Sequence, residues 1–378
     1  MQLFSKAILL CLLFLTAGFW ACDKKEETIP ELTIPATYDG STFSTVSAQE
    51  TALVTSYLNF SPILKSGNNG NPINPRDLNL GFSTNSPSIK SATSAYFASL
   101  LEGTDGYFDR LSKASAGTYT PTATPTGNGG VYGTYVFTSD GIEPAEVIEK
   151  GLLGATFYHY GLKLFIENPN IANPATADQL LALYGASPDF PNSSNAAFYA
   201  RPDRALAAYA AQRDKGDDAG IYSQIKAKFI RLQAAYKGGP NYTRERDQAF
   251  SDLLTLWEKV MAASAIHACH QTINRVQAAP SSEASRAQAL HWNSSSIGFL
   301  LGLRNIPNKT ITDSRLDELL GKLYFVPRGT SSAYKLVTEP TAAATQIAGV
   351  ITTLQTTYGF TDQEVQDMKT NWVGQQGR

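Results

Sequence analysis

Apolar residues recur along this chain at helical spacing, and the alternation that marks a half-buried strand is scarce. Ser47-Ala48-Gln49-Glu50 reads as a capping box, with Ser47 and Glu50 each satisfying a free backbone N–H. Leu53, Val54, Tyr57 and Leu58 then form one apolar stripe. A second helix is expected over 89–113, with Tyr96, Phe97, Leu100, Leu101, Phe108 and Leu111 inward. Residues 115–134 mix Gly, Thr and Pro and predict a long loop, functional or mobile.

The most informative helix follows Gly141-Ile142-Glu143-Pro144. Past Lys150 it is apolar on every side, the pattern of a helix buried all round. Gly151 and Gly154 lower its helix propensity and predict close approach by a neighbouring helix. Asn168-Pro169-Asn170 ends it. Shorter helices are expected over 178–184, 204–213 and 222–236. A long helix runs from Thr243 to a stop at Pro280, and another covers 282–304. Helices over 313–323 and 342–358 follow, and the capping box Thr361 to Glu364 opens the last. The expectation is an all-α fold, a large helical bundle. Glu149-Lys150 and Glu258-Lys259 each precede small and apolar residues and then a histidine. This echo suggests two duplicated lobes, although the spacing to the histidine differs by one residue.

The first 21 residues read differently. One lysine, an apolar run of about 15 residues and Ala21 before Cys22 give the three regions of a secretory signal. The run is shorter than the ~20 residues a membrane-spanning helix needs. A cysteine at the cleavage point resembles a lipoprotein signal, with acyl chains attached to Cys22; the alternative is an ordinary cleaved signal and an incidental cysteine. Phe19 and Trp20 make it a relaxed version of that signal. Residues 22–35 are charged and punctuated by proline, and are expected to form a disordered tether ahead of a helical domain over 36–378. Lys25-Glu26-Glu27 resembles a tag that carries some lipoproteins to the cell surface, and is equally a solvated spacer.

Net charge is −2 without a dense basic run in the domain, so no nucleic-acid partner is implied. Of three cysteines, Cys11 leaves with the signal and Cys22 carries lipid, leaving Cys269 without a disulfide partner. Hydrophobic content of 43% leaves ample material for a core that must hold the fold unaided.

Candidate chemistry gathers on two helices. His267 and His270 are three apart; at ~3.6 residues per turn, His267 falls on the stripe of Leu253, Trp257 and Val260. Two histidines so spaced can share a metal, given further ligands, and are otherwise core groups satisfied by the fold. His291 heads a helix with Ser294, Ser295 and Ser296, hydroxyls that can bond back to the preceding turn. No His-Glu-x-x-His or Gly-x-Ser-x-Gly pattern and no phosphate-cradling glycine loop occurs. An unpaired buried imidazole costs about 1–3 kcal/mol, so His267 and His291 are expected near each other and near Glu143 or Glu149. There they line a pocket or serve as core groups.

Taken together, Tyr38 to Leu58, Asp140 to Glu143, Glu149 to Gly151, Gly154-Ala155, Asp178 to Gly185 and Pro188 to Pro191 resemble the lipoproteins carrying domain of unknown function 4856. Trp257 to Lys259, Ala265 to His267, His291, Gly298-Phe299 and Leu303-Arg304 extend the resemblance over nearly all of the mature chain. The resemblance implies an imelysin-like helical architecture and a non-catalytic binding or accessory role beside an outer-membrane receptor in iron-linked transport, with iron or another metal as a cofactor left open. It implies an outer-membrane location, on the surface or the periplasmic face. An imelysin-like metal-dependent enzyme or metal-binding protein is the alternative. Gln179 and Ser295 stand where the family carries acids, and the imelysin Gly-x-His-x-x-Glu motif is absent, which favours a binding role over catalysis.

Overall fold

The longest periodic run in the sequence becomes the longest helix, and the rest is arranged around it. The computed structural model describes residues 29–278 and 282–378. The signal, Cys22, the charged start of the tether and Pro280 lie outside the described residues. Residues 29–35 carry neither helix nor strand.

The first long helix is α1 (Ala48–Lys65), followed by α2 (Pro75–Ser83), α3 (Ala95–Leu101) and α4 (Tyr107–Ser115). A hairpin of β1 (Gly130–Tyr132) and β2 (Tyr135–Phe137) comes next. Then α5 (Pro144–Leu152) passes through a π-helical turn, Leu153–Tyr158, into α6 (His159–Glu167). After α7 (Ala175–Tyr184), α8 (Ala205–Arg213) and α9 (Ile221–Gly238) comes the spine, α10 (Thr243–Ala278). It has 36 residues, ~54 Å at helical rise. The chain closes with α11 (Glu283–Leu301), α12 (Asp313–Lys322), α13 (Pro340–Tyr358), α14 (Asp362–Asp367) and α15 (Trp372–Gln376). The middle of α10, from Val260 to Ile266, is buried on all sides between α8, α9, α11 and α13. The architecture is a helical bundle. From Thr33 to Arg378 it is one compact unit, without the division into two lobes that the Glu-Lys echo suggested.

Three stretches before α5 depart from expectation. The single helix expected over 89–113 is broken into a turn at Ile89–Ala92, then α3 and α4. Ser94 makes the first break: its side chain caps α3, while its backbone N–H is drawn to the Ala155 carbonyl at 2.8 Å. Gly103 and Asp105, at φ 84° and 60°, make the second. Ser47 does not cap α1; its hydroxyl turns back to the Phe43 carbonyl at 2.5 Å, and Glu50 is buried against Gln179. The expected loop over 115–134 contains β1, and the hairpin turns at Gly133, φ 61°.

α5 is buried along its whole length, as its sequence implied. It crosses α11 backbone to backbone. A β-carbon on Gly302 would lie 2.3 Å from the Gly151 carbonyl oxygen, and one on Gly154 would lie 2.7 Å from the Gly302 carbonyl carbon. No side chain fits there. That contact holds the polar residues of α5 against those of α11.

Candidate functional site

Helical spacing places Glu146, Glu149 and Lys150 on one face of α5, since residues three and four apart are neighbours. Glu143 stands at the N-cap of α5, but its side chain does not cap the helix. It crosses instead to α11, where its Oε2 lies 2.7 Å from His291 Nδ1. The Glu143 backbone N–H donates to Ser294 Oγ, which itself bonds back to the Leu290 carbonyl. Ser295 donates to Glu146 Oε1 at 2.7 Å. Lys150 Nζ lies 3.0 Å from Glu146 and 2.6 Å from Glu149, and Lys65 of α1 reaches Glu149 at 2.5 Å. Behind His291, Tyr135 of the hairpin stacks on the imidazole with centroids 4.4 Å apart.

Glu143, Glu146, Glu149 and Lys150 are buried, and burial and pairing compete over the protons of the network. Burial alone would raise the Glu149 carboxyl, but Lys150 and Lys65 outweigh it and hold it well below the usual range. Burial also opposes ionisation of Glu146, and Lys150 overrides it to lower that pKa. At Glu143 burial wins over His291, and the carboxyl is raised. His291 is opposed by burial yet raised by Glu143. Burial would lower Lys150, but Glu146 and Glu149 push it well above its ordinary value.

A cavity of about 210 Å³ opens on this network. Its wall takes Lys65 from α1, Glu146 and Lys150 from α5, Tyr209 and Arg213 from α8, Ser264 and His267 from α10, and His291, Trp292 and Ser295 from α11. His267 and His291 thus share one cavity, on either side of Trp292, whose ring lies 5.5 Å from one imidazole and 5.3 Å from the other. Glu143 meets His291, as expected of that pair.

His267 and His270 each turn one ring nitrogen to a backbone carbonyl. His267 Nδ1 bonds the Met368 carbonyl at 2.7 Å, and His270 Nε2 bonds the Val365 carbonyl at 3.2 Å. Burial, with Arg213 nearby, lowers His267 to about 3, so its ring is neutral and Nδ1–H is the donor. Burial likewise lowers His270. Among the described residues the group with ligand geometry is Glu143, Glu146 and His291, with one ligand atom from each within 4.8 Å of the others. Glu149 lies beside it, tied to Lys65, Lys150 and Ser61. Cys269 is fully buried, and burial raises its thiol to about 12, which makes it inert.

Sequence reasoning passed over Glu146, Lys65 and Arg213. Glu146 had a signal, three residues from both Glu143 and Glu149 on the same face. Lys65 and Arg213 had none, since each ends an ordinary amphipathic helix and meets the site only through tertiary packing.

Fold and site together define a helical-bundle protein with a polar, partly charge-balanced cavity buried between α5, α8, α10 and α11. No protein-family model, curated protein or solved structure matches the chain.

Proposed function

We propose that this is an envelope lipoprotein, anchored through acyl chains on Cys22, whose helical domain binds a transition-metal ion as an accessory to iron-linked transport. The observation that carries the metal reading is the Glu143–Glu146–His291 group at the cavity. Each member keeps an atom in hand. Glu143 Oε1 and Glu146 Oε2 are buried without a hydrogen-bond partner, and Glu143 engages only the Nδ1 side of His291. Two unsatisfied buried carboxylate oxygens are costly to keep, and a cation offsets that cost. Two carboxylates and an imidazole suit iron(II), zinc or manganese(II).

Lys65 and Lys150 compete for the same carboxylates. Lys150 holds Glu146 Oε1, and Lys65 approaches Oε2 to 3.7 Å without a hydrogen bond. Lys65 is the more exposed of the two, 35% against 11%, and is the one able to withdraw. Membrane attachment through lipid fits a chain in which, among the described residues, no helix is long and apolar enough to cross a bilayer.

Protein purified without a tag and stripped with a chelator is expected to bind one iron(II), zinc or manganese(II) ion per chain by calorimetric titration. Affinity rises with pH, because both Glu143 and His291 have raised pKa values and must shed protons to ligate. Glu143→Gln and His291→Gln should each weaken binding by roughly 10–100-fold. No bound ion, or undiminished binding in both variants, leaves the group a buried ion network and ends the metal reading.

A further inference from the structure

We propose that Arg213 anchors an anion-binding subsite in the same cavity, taking a carboxylate or phosphate group of a small solute. Its side chain comes off the last residue of α8 and is more than nine-tenths buried, at 8% exposure. No aspartate or glutamate oxygen among the described residues lies within ion-pair distance of it, and its Nε has no hydrogen-bond partner. Its Nη1 donates to the Met368 carbonyl at 3.0 Å, but that carbonyl already receives His267 Nδ1–H. A buried guanidinium without a counter-ion is expensive. Every other ionised group around this cavity has its opposite: Lys65 and Lys150 face Glu146 and Glu149, and His291 faces Glu143. Arg213 alone is unbalanced.

The groups beside it are suited to an anion. Ser264 Oγ is buried with no partner, and Tyr209, Gln212 and Asn371 bring further donors to the same wall. Trp292 and Phe299 supply an apolar side. Arg213 also borders a second cavity of about 230 Å³, where Lys215 already pairs with Asp367 and where Lys259, Asp217 and Glu364 add charge of both signs. The unpartnered Ser264 hydroxyl assigns the anion to the first cavity. Guanidinium is a planar fork that matches a carboxylate or phosphate with two parallel bonds. A cavity of about 210 Å³ is smaller than the ~300–1,000 Å³ that drug-sized ligands occupy, so the solute is compact.

The subsite does not depend on the metal reading, and its test is made on chelator-treated protein so that the two fail separately. Succinate and inorganic phosphate are titrated calorimetrically into the purified full chain. One of them binds at one per chain, and the tighter of the two tells carboxylate from phosphate. Arg213→Met weakens that binding by about tenfold or more. Its melting midpoint stays equal to or above that of the unsubstituted protein, because an unpaired buried charge has been removed. A purely structural arginine would instead lower the midpoint and leave no anion to lose. Should Arg213→Met not fold, Arg213→Lys replaces it, keeping the charge but losing the fork, with weaker binding again expected. Binding of neither anion, or undiminished binding in the variant titrated, overturns the assignment.

Discussion

Glu149-Lys150 on α5 and Glu258-Lys259 on α10 are the same dipeptide in the same kind of helical context, and the bundle treats them in opposite ways. Glu258 is fully buried and met by neutral donors: the backbone N–H of Thr310 at 2.7 Å and of Ile311 at 2.9 Å, and the Tyr358 hydroxyl at 2.7 Å. Its neighbour Lys259 lies over the Phe360 ring at 5.1 Å and takes no part. Glu149 is met by two ammonium groups, which also reach Glu146, and the network leaves carboxylate oxygens on Glu143 and Glu146 without hydrogen bonds. A carboxylate held by fixed backbone donors is complete and pins one loop. A carboxylate held by long cationic side chains can exchange partners. The first arrangement stabilises; the second can bind.

The contrast is sharpest in stability. Glu258→Ala strips the partners from two N–H groups and a hydroxyl, and should cost about 3–5 kcal/mol in chemical denaturation. Glu143→Gln should cost under about 1 kcal/mol, since burial already opposes ionisation at Glu143 and the amide oxygen can still accept from His291. Equal losses would erase the distinction between the two regions.

A smaller effect is expected where α5 meets α11. Gly302→Ala forces a methyl against the Gly151 carbonyl and should lose about 1–3 kcal/mol. The same change spreads the cavity and weakens metal binding, while the Glu258 contacts with Thr310, Ile311 and Tyr358 stay intact. Retained metal affinity in that variant would detach the site from the helix crossing.

The last effect is a slope with pH rather than a single loss. His267 has its folded pKa depressed to about 3, so it remains neutral while the unfolded chain takes up a proton near the ordinary imidazole value of ~6.5. Its contribution is therefore present above about pH 6.5 and is lost as pH falls toward about 3. Denaturation midpoints measured across that window should fall less steeply in His267→Gln than in the unsubstituted chain.

The parts of this molecule legible in the sequence are those governed by local periodicity. Helices α9, α10, α11 and α13 begin and end within a few residues of where their apolar stripes and glycines place them. The Gly151 and Gly154 contact followed from two small residues in an otherwise apolar helix. The hairpin was not legible because three-residue strands are too short to show alternation. The break at Ser94 was not legible because a distant carbonyl, at Ala155, causes it. At the site, His291 and Glu143 could be paired by asking what would satisfy a buried imidazole. Arg213 could not be found, because a basic residue in the last turn of a helix ordinarily faces solvent and complements the helix dipole. Here the Met368 carbonyl and the chain around it cover the side chain.

The π-helical turn at Leu153–Tyr158 has a consequence for how this site tolerates change. Such a turn holds one more residue than an α-helix needs, and the surplus carbonyl is taken up by Ser94. It works as a phase adjuster. Before it, Glu146 and Lys150 are turned toward the cavity, while everything after it follows a helix rotated by roughly a residue's worth, ~100°. Shortening the turn by one residue would relax the backbone into regular helix and swing one half out of alignment with the other. The placing of the acidic side chains of α5 thus rests on a stretch of Leu, Gly, Ala, Thr, Phe and Tyr that carries no charge of its own.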